Sequence, residues 1–352
     1  MKHLFTYLLY PLFLFSLSNT PIYAAPIITQ EQVQQISNAP YRIIFIHLGV
    51  NLPSHTYTAL AHARLFNPNA AIVLIASEAC LETDSSVDGD WITIPAEAIE
   101  KTRWHVEFNR FSRLDKSFRN GFWYYTTERL FCLDDFITQY NLTDTFHVEN
   151  DNLIYCDLEE LLPIFRDTYK GIGAPFEQDY RGGAGFIFVA DHASINALAR
   201  YLKDNMSRNK SEMELLSAFK KQFGKEYIDQ LPIISNAYVQ DHLPLKDASG
   251  RQDQLDPFSY SQYADKFGSI FDMCSYGQYI GGPDPRNGDS LGPGYINPCA
   301  IFKCSDLELT WELDERNRKI PHMSYKGTKY RLNNLHIHCK DLNKFSATGL
   351  NK

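Results

Sequence analysis

The chain has 352 residues, of which 44% are hydrophobic and 22% are charged, and its formal net charge is −8. This composition is typical of a soluble globular protein, and the length suits one large domain or two small ones. The acidic balance argues against a nucleic-acid-binding surface, which needs a basic stripe.

The first residues have the layout of a secretory signal peptide. Lys2 gives a basic start, an apolar stretch runs from residue 4 to residue 17, and small residues follow up to Ala25. We therefore expect residues 1–24 to direct the chain into the secretory pathway or out of the cell. The alternative is an uncleaved signal anchor that holds the protein on a membrane.

Apolar runs and helical segments alternate from residue 41 to residue 224. Short runs rich in β-branched side chains predict buried strands, at 41–50, 70–77, 90–99, 145–150 and 183–190. The segments between and after them predict helices, at 52–69, 118–140, 155–169, 191–205 and 211–224. This alternation is typical of an α/β domain built on a parallel sheet.

A segment dense in glycine and proline follows at residues 268–297. Its composition predicts a loop, and long loops in compact domains are usually functional. Gly281, Gly282 and Gly288 permit positive φ angles and a close backbone approach. We therefore expect residues 277–294 to form a loop that closes over a substrate.

Two acids interrupt the apolar sequence FHVENDNLIY, at Glu149 and Asp151. If the strand ends near Asp151, the two side chains leave its carboxyl end side by side, because alternate residues of a strand share a face. Ligands of open α/β sheets bind at that edge. Two carboxylates can hold a divalent cation and leave room for a substrate phosphate. Helix capping or solvated surface charge is the alternative interpretation.

A second group of polar residues lies near the end of the chain, in LHIHCK. His336 and His338 are two apart in an extended run and so point the same way. We expect one of them to complete the metal site, with His336 preferred, and the other either to contact the metal-binding side chains or to face a bound diphosphate. Lys340 can meet a phosphate as a point charge. Histidines in such a pair can also be structural, hydrogen-bonded residues.

These motifs resemble those of GT-A-type nucleotide-sugar glycosyltransferases over residues 41–345. FHVENDNLIY resembles the family's acidic metal-binding motif, with Glu-Asn-Asp in place of Asp-x-Asp. Two apolar runs, IIFIHLG and AIVLIAS, stand where the family's first nucleotide-binding strands would lie. Further along the chain, NKSEMELL resembles a helix start beyond the acceptor site, and LHIHCK resembles the segment with the late metal-binding histidine. The resemblance implies a single GT-A-like domain at 40–345, with a mixed, mostly parallel central sheet flanked by helices, and a tail at 346–352.

The function that this resemblance implies is metal-dependent transfer of a sugar, of the hexosyltransferase class. The donor would be a UDP- or GDP-linked sugar, the acceptor a glycan, protein or lipid, and the cation manganese, with magnesium as the alternative. Tyr276 and Tyr279 would offer faces for sugar rings. The alternative is a secreted, non-catalytic carbohydrate-binding protein with a degenerate transferase fold. The expected site residues are Glu149, Asp151 and His336 for the metal, Asn150 and Lys340 for the cofactor, and Asp272, Asp284 and Glu212 as candidate catalytic carboxylates. For each of these three carboxylates, solvated surface charge or helix capping is the alternative interpretation.

Overall fold

The computed structural model describes residues 28–83, 89–206, 210–252, 256–287 and 292–347. The expected signal peptide at 1–24 lies outside these ranges, as does most of the expected tail. Within them, no helix has both the length and the apolar character that a membrane span requires.

The protein is built on a seven-stranded sheet whose order is β10-β6-β9-β4-β1-β2-β3. All neighbouring strands are parallel except at β9, which runs antiparallel to both β4 and β6. The strands of this sheet are β1 (Arg42–His47), β2 (Ala71–Ala76), β3 (Ile92–Pro95), β4 (Thr145–Val148), β6 (Ile172–Ala174), β9 (Phe186–Val189) and β10 (Ile228–Gln230). The fold class expected from the sequence, a mixed and mostly parallel α/β sheet, is confirmed.

The remaining strands form smaller sheets. They are β5 (Asn152–Ile154), β7 (Phe176–Gln178), β8 (Arg181–Gly182), β11 (Ser269–Ile270), β12 (Glu308–Leu313), β13 (Lys319–Tyr325), β14 (Thr328–Leu332) and β15 (Asn334–His336). The α-helices are α1 (Gln30–Asn38), α2 (His55–Phe66), α3 (Glu78–Thr83), α4 (Arg103–Phe111), α5 (Phe122–Tyr140), α6 (Leu158–Thr168), α7 (His192–Asn205), α8 (Glu212–Phe223), α9 (Asn236–Asp241), α10 (Ala264–Phe267), α11 (Ser275–Gly281) and α12 (Leu342–Phe345).

The central strands form because their apolar residues can be buried on both faces of the sheet. Every residue of β2 is buried, and β1 is buried from Arg42 to Ile46. Continuous apolar runs of this kind are typical of parallel strands covered by helices on both sides. The five predicted strands and five predicted helices are therefore confirmed, with shifted ends.

Two ends shift by four residues: β3 ends at Pro95 rather than at residue 99, and α5, predicted from residue 118, starts later. The helix begins at Phe122, because Arg119, Asn120 and Gly121 have positive φ angles of 45°, 58° and 86° that no α-helix adopts. From Phe122 onward, α5 packs against β1 and α7.

The sheet brings two distant parts of the chain together at the end of β4. Soon after β4, the short strand β5 pairs antiparallel with β15, so that Asn152 lies opposite His336. The amide of Ile337 donates to the carbonyl of Asp151 at 2.7 Å. This pairing places the two motifs singled out in the sequence next to each other.

The segment rich in glycine and proline is not a continuous loop. Residues 275–281 form α11, and a 3-10 turn follows at 285–287. The expectation of a loop over 277–294 is therefore wrong for its first residues, while Gly288 lies outside the described ranges. Tyr276 is completely buried and donates its hydroxyl to the carbonyl of Ile233 at 2.8 Å, so it offers no face to a sugar.

A buried asparagine, Asn67, holds the end of α2 against the start of α6. Its side-chain oxygen accepts from the amide of Leu158 at 2.9 Å and from the hydroxyl of Tyr41 at 3.1 Å. Its amide group donates to the carbonyls of Ala63 and Cys156. Asn67 is 0% exposed, so water cannot replace these bonds.

We predict that Asn67→Ala lowers the free energy of unfolding by about 3 kcal/mol, because it leaves several buried polar groups unpaired. Urea unfolding of the variant and the parent measures this difference. The control is Asn69→Ala, which removes an exposed hydrogen bond to Glu159 and should cost less than about 0.5 kcal/mol. Equal losses in the two variants would contradict the assignment.

Candidate functional site

Glu149 and Asp151 are brought together by a turn rather than by the pleat of a strand. β4 ends at Val148, and the amide of Asn152 donates to the carbonyl of Glu149 at 3.0 Å, which closes a four-residue turn. The expectation that the strand extends to Asp151 is therefore wrong. The turn nevertheless directs both carboxylates toward His336.

His336 is the centre of the site. Its Nε2 lies 2.8 Å from Oε2 of Glu149 and 3.1 Å from Oδ1 of Asp151. Its Nδ1 lies 2.7 Å from the carbonyl oxygen of Met273. A carbonyl only accepts, so Nδ1 carries a proton, and Nε2 also carries one when it faces the two charged carboxylates; on losing that proton, Nε2 would present its lone pair to a cation. This is the usual arrangement of a metal-binding histidine.

Two glycines make room for the His336 residue. A Cβ atom on Gly277 would lie 2.0 Å from the carbonyl oxygen of His336, and one on Gly185 would lie 2.8 Å from its imidazole ring. Any larger residue at position 277 would push α11 away from β15. Glycine is therefore required there by a close backbone approach.

The two carboxylates are charged although they are buried. Burial opposes ionisation of Glu149, but Arg129 and His336 outweigh it and hold the pKa of Glu149 well below its usual range. For Asp151, burial is likewise outweighed by Lys340 and His336, so its pKa is also well below the usual range. In return, the carboxylates overcome the effect of burial on His336 and raise its pKa.

His338 lies beside His336, and the two ring centroids are 4.3 Å apart. Its Nδ1 is 2.8 Å from the amide nitrogen of Gln278. Burial, together with the neighbouring His336, lowers the pKa of His338 to about 3, so this ring is neutral at physiological pH. One ligand atom from each of Asp151, His336 and His338 can be chosen so that all three lie within 4.8 Å of one another.

This donor set fits a divalent cation. Carboxylate oxygens suit magnesium and manganese, whereas imidazole nitrogens suit transition metals. Glu149 supplies a second carboxylate, since its Oε2 also lies next to Nε2 of His336. With a cation present, the positive charge that His336 supplies between the two acids would be replaced by that of the metal.

Two further residues expected at the site, Lys340 and Asn150, lie around this cluster, together with His55, which the sequence did not indicate. Lys340 forms an ion pair with Asp151. Asn150 points to the end of β1, where its amide nitrogen is 3.0 Å from Nδ1 of His47. His55, at the start of α2, interacts with the charges of Asp151 and Lys340, although burial is the main reason that its pKa falls to about 4.

The three candidate catalytic carboxylates occupy different environments. Asp272 is buried and accepts hydrogen bonds from the amides of Tyr276, Gly277 and His336, at 2.9–3.0 Å. These contacts tie α11 to β15. Burial is the main reason that the pKa of Asp272 rises to about 6.

Asp284 forms an ion pair with a nearby cation, whereas Glu212 forms no ion pair with the described residues. Asp284 pairs with Arg286, whose Nε lies 3.0 Å from each carboxylate oxygen. Glu212 is 5% exposed at the first turn of α8, and its Oε2 has no hydrogen-bond partner among the described residues. Burial raises the pKa of Glu212, and Arg129 is the strongest opposing charge.

A cavity of about 410 Å³ opens beside α8 and α5. It combines two aromatic side chains, Trp123 and Tyr180, with charged and polar groups. Two of its lining residues, Ser211 and Met213, flank Glu212 in sequence. The full lining is Leu114, Asp115, Trp123, Thr127, Tyr180, Arg181, Lys210, Ser211, Met213 and Glu214.

Sequence reasoning missed Arg129, which pairs with Glu149 from the middle of α5. It was hidden within an aromatic and apolar helix. A signal for it was nevertheless present, because a lone arginine among buried apolar residues requires an acidic partner. Gln278, which contacts His338 from α11, was missed because its segment was expected to be a loop.

Comparison with solved structures finds similar folds at low identity. Mouse xyloside xylosyltransferase 1 matches with a TM-score of 0.39 and 11% identity, over 64% of this chain and 92% of that one. The PaToxG glycosyltransferase matches with a TM-score of 0.37 and 13% identity, over 55% and 74%. The galactosyltransferase LgtC, in complex with donor and acceptor sugar analogues, matches with a TM-score of 0.34 and 16% identity, over 54% and 73%.

These proteins are glycosyltransferases, the class that the sequence motifs resemble. At scores and identities this low, the likeness identifies no metal, donor or acceptor for this chain. No family model matches the sequence, and no curated protein does.

We predict that His336→Ala weakens Mn²⁺ binding by roughly 10- to 100-fold or more, because it removes the nitrogen that faces both carboxylates. His338→Ala should have a smaller effect, since its neutral ring lies at the edge of the cluster. Titration of the purified variants with Mn²⁺ measures both constants. His322→Ala, on β13, is the control; unchanged affinity in both site variants would exclude the histidines as ligands.

Proposed function

We propose that the protein is a metal-dependent glycosyltransferase that moves a sugar from a nucleotide-diphosphate sugar to a glycan, protein or lipid. The observation that carries this proposal is the convergence of Glu149, Asp151 and His336 at the end of β4. This point lies at the carboxyl edge of the sheet's parallel strands, where open α/β sheets bind nucleotides.

A donor diphosphate would find positive charge on this chain as well as on a cation. A manganese ion, with magnesium as the alternative, would neutralise charge on the departing diphosphate. Lys340 reaches the same place, since it contacts Asp151. Arg286 interacts with the charge of Asp151 while it pairs with Asp284. Together these side chains favour binding of a polyanion beside the cluster.

The cavity beside α8 is suited to the acceptor. Trp123 and Tyr180 supply aromatic surface for the apolar face of a sugar ring, and the polar lining residues supply hydrogen bonds to its hydroxyl groups. Two of its lining residues, Ser211 and Met213, flank Glu212 in sequence, and Glu212 interacts electrostatically with Arg129 and with Glu149 of the metal cluster. An acceptor bound here would therefore lie close to a donor held by the metal cluster.

Of the three candidate carboxylates, Glu212 best suits a general base. Its Oε2 is free of hydrogen bonds among the described residues, and burial raises its pKa toward neutrality. Asp272 has its oxygens committed to three backbone amides, and Asp284 is neutralised by Arg286. If transfer inverts the sugar, Glu212 would accept the proton of the acceptor hydroxyl.

The expected export of the chain enters this proposal as its cellular setting. We place the enzyme in the secretory pathway or outside the cell, or on a membrane if residues 1–24 remain attached. N-terminal sequencing of protein made in its own host distinguishes a chain that begins near Ala25 from one that retains Met1.

We predict that Asp151→Asn lowers sugar transfer by about 100-fold or more while the protein stays folded, because the cluster loses the charge that holds the cation. The variant keeps the shape of the side chain. The parent is first screened against UDP- and GDP-sugars with and without Mn²⁺, and the variant is then assayed on the active donor.

Glu212→Gln is the matched comparison, since it removes a buried carboxylate outside the metal cluster. It should lower turnover without changing the affinity for Mn²⁺. Near-parental turnover of Asp151→Asn with Mn²⁺ present would rule out the proposed mechanism. A parent that binds sugars but transfers none with any donor would support the alternative, a non-catalytic carbohydrate-binding protein.

A further inference from the structure

A basic segment interrupts an otherwise acidic protein. Residues 101–119 carry six lysine and arginine side chains against two acidic ones, a net charge of +4 in a chain whose net charge is −8. The segment contains α4 and the irregular stretch that leads to α5. Such a concentration of positive charge is typical of a surface that binds an anionic partner.

The same segment exposes large apolar side chains. α4 buries His105 and Phe108, and the opposite side of the helix carries Val106, which is 51% exposed. Phe111, at the end of the helix, is 63% exposed, and Phe118 is 43% exposed. Single exposed apolar residues are ordinary, but three within thirteen residues of a basic segment are not.

The positive charges of this surface are largely uncompensated. Arg110 and Arg113 have no acidic partner among the described residues, and the guanidinium of Arg110 lies over the ring of Phe111, 5.1 Å from its centroid. Of the two acids, Glu107 is already paired with Arg103 at 2.7 Å and with Lys203 at 2.9 Å. The arginines are therefore available to an external anion.

We propose that this surface, made of Val106, Arg110, Phe111, Arg113 and Phe118 and called here the α4 surface, docks the protein onto an anionic lipid bilayer. Apolar side chains beside basic ones are what an interfacial helix needs, because the former enter the headgroup region while the latter meet lipid phosphates. This inference does not depend on the transferase activity.

The positive charge of the α4 surface distinguishes it from another exposed apolar patch of this protein. A second exposed apolar pair, Trp311 and Leu313, lies on β12, and Leu313 is 64% exposed. Its neighbouring acids Glu312, Asp314 and Glu315 are balanced by Arg316, Arg318 and Lys319, so this patch has no net charge and gives an anionic lipid no net attraction. The two patches thus match in exposure and differ in charge.

The α4 surface also adjoins the proposed acceptor cavity. Leu114 and Asp115, from the same segment, line that cavity together with Trp123. Docking through the α4 surface would therefore hold the opening of the cavity near the lipid headgroups.

The test is flotation of the full chain with vesicles of phosphatidylcholine alone, and with vesicles that also contain phosphatidylglycerol in a ratio of about two to one. The part of the binding that depends on phosphatidylglycerol measures the contribution of the α4 surface, separately from that of the apolar N-terminal segment. We expect the parent to bind the anionic vesicles at least about tenfold more tightly, and this difference to shrink in high salt.

Two double variants test the α4 surface, and each should reduce the phosphatidylglycerol-dependent binding by about tenfold or more. One combines Phe111→Ser with Phe118→Ser, and the other combines Arg110→Glu with Arg113→Glu. The matched controls are Trp311→Ser with Leu313→Ser, and Arg316→Glu with Lys319→Glu, which should leave it unchanged. Circular dichroism checks that all variants fold. Equal binding to both kinds of vesicle, or equal losses in variants and controls, would overturn the proposal and favour a protein partner for this surface.

Discussion

Two buried carboxylates next to each other are stable only if cations surround them, and the site is organised by this constraint. Glu149 and Asp151 leave one turn, and each is paired with a cation from a different part of the chain, Arg129 from α5 and Lys340 from beyond β15. His336 lies between them, and its Nε2–H group can donate to either carboxylate. Removing one charge of such a group leaves the others uncompensated, at a cost of several kcal/mol.

The backbone supplies what the charges need. Pairing of β5 with β15 places Asn152 opposite His336, so the acidic turn and the late histidines meet although 185 residues separate Asp151 from His336. Asp272 reinforces this contact by accepting from the amide of His336 and from two amides of α11. The carbonyl of Met273 accepts from Nδ1 of His336 and orients the ring, so that Nε2 faces the two acids. A rigid frame of this kind is what a metal centre requires.

Much of the fold follows from the sequence, because buried parallel strands must be apolar along their whole length. The acid pair and the late histidines could also be singled out, since their chemistry is unusual beside apolar runs. The exact ends of some strands and helices could not be predicted, because they depend on local hydrogen bonds. The strand before Glu149 stops early because a turn forms there, and α11 forms in a glycine-rich segment because Asp272 accepts from its first amides. The partnership of Arg129 with Glu149 depends on tertiary contact, which periodicity does not encode.

The most direct test of the proposed metal centre is pulsed electron paramagnetic resonance of the protein loaded with Mn²⁺. Direct ligation by histidine gives a hyperfine coupling between the metal and an imidazole nitrogen. We expect this coupling in the parent chain and its loss in the double variant His336→Ala, His338→Ala. A spectrum with no nitrogen coupling in the parent, or one that the double variant leaves unchanged, would contradict the account.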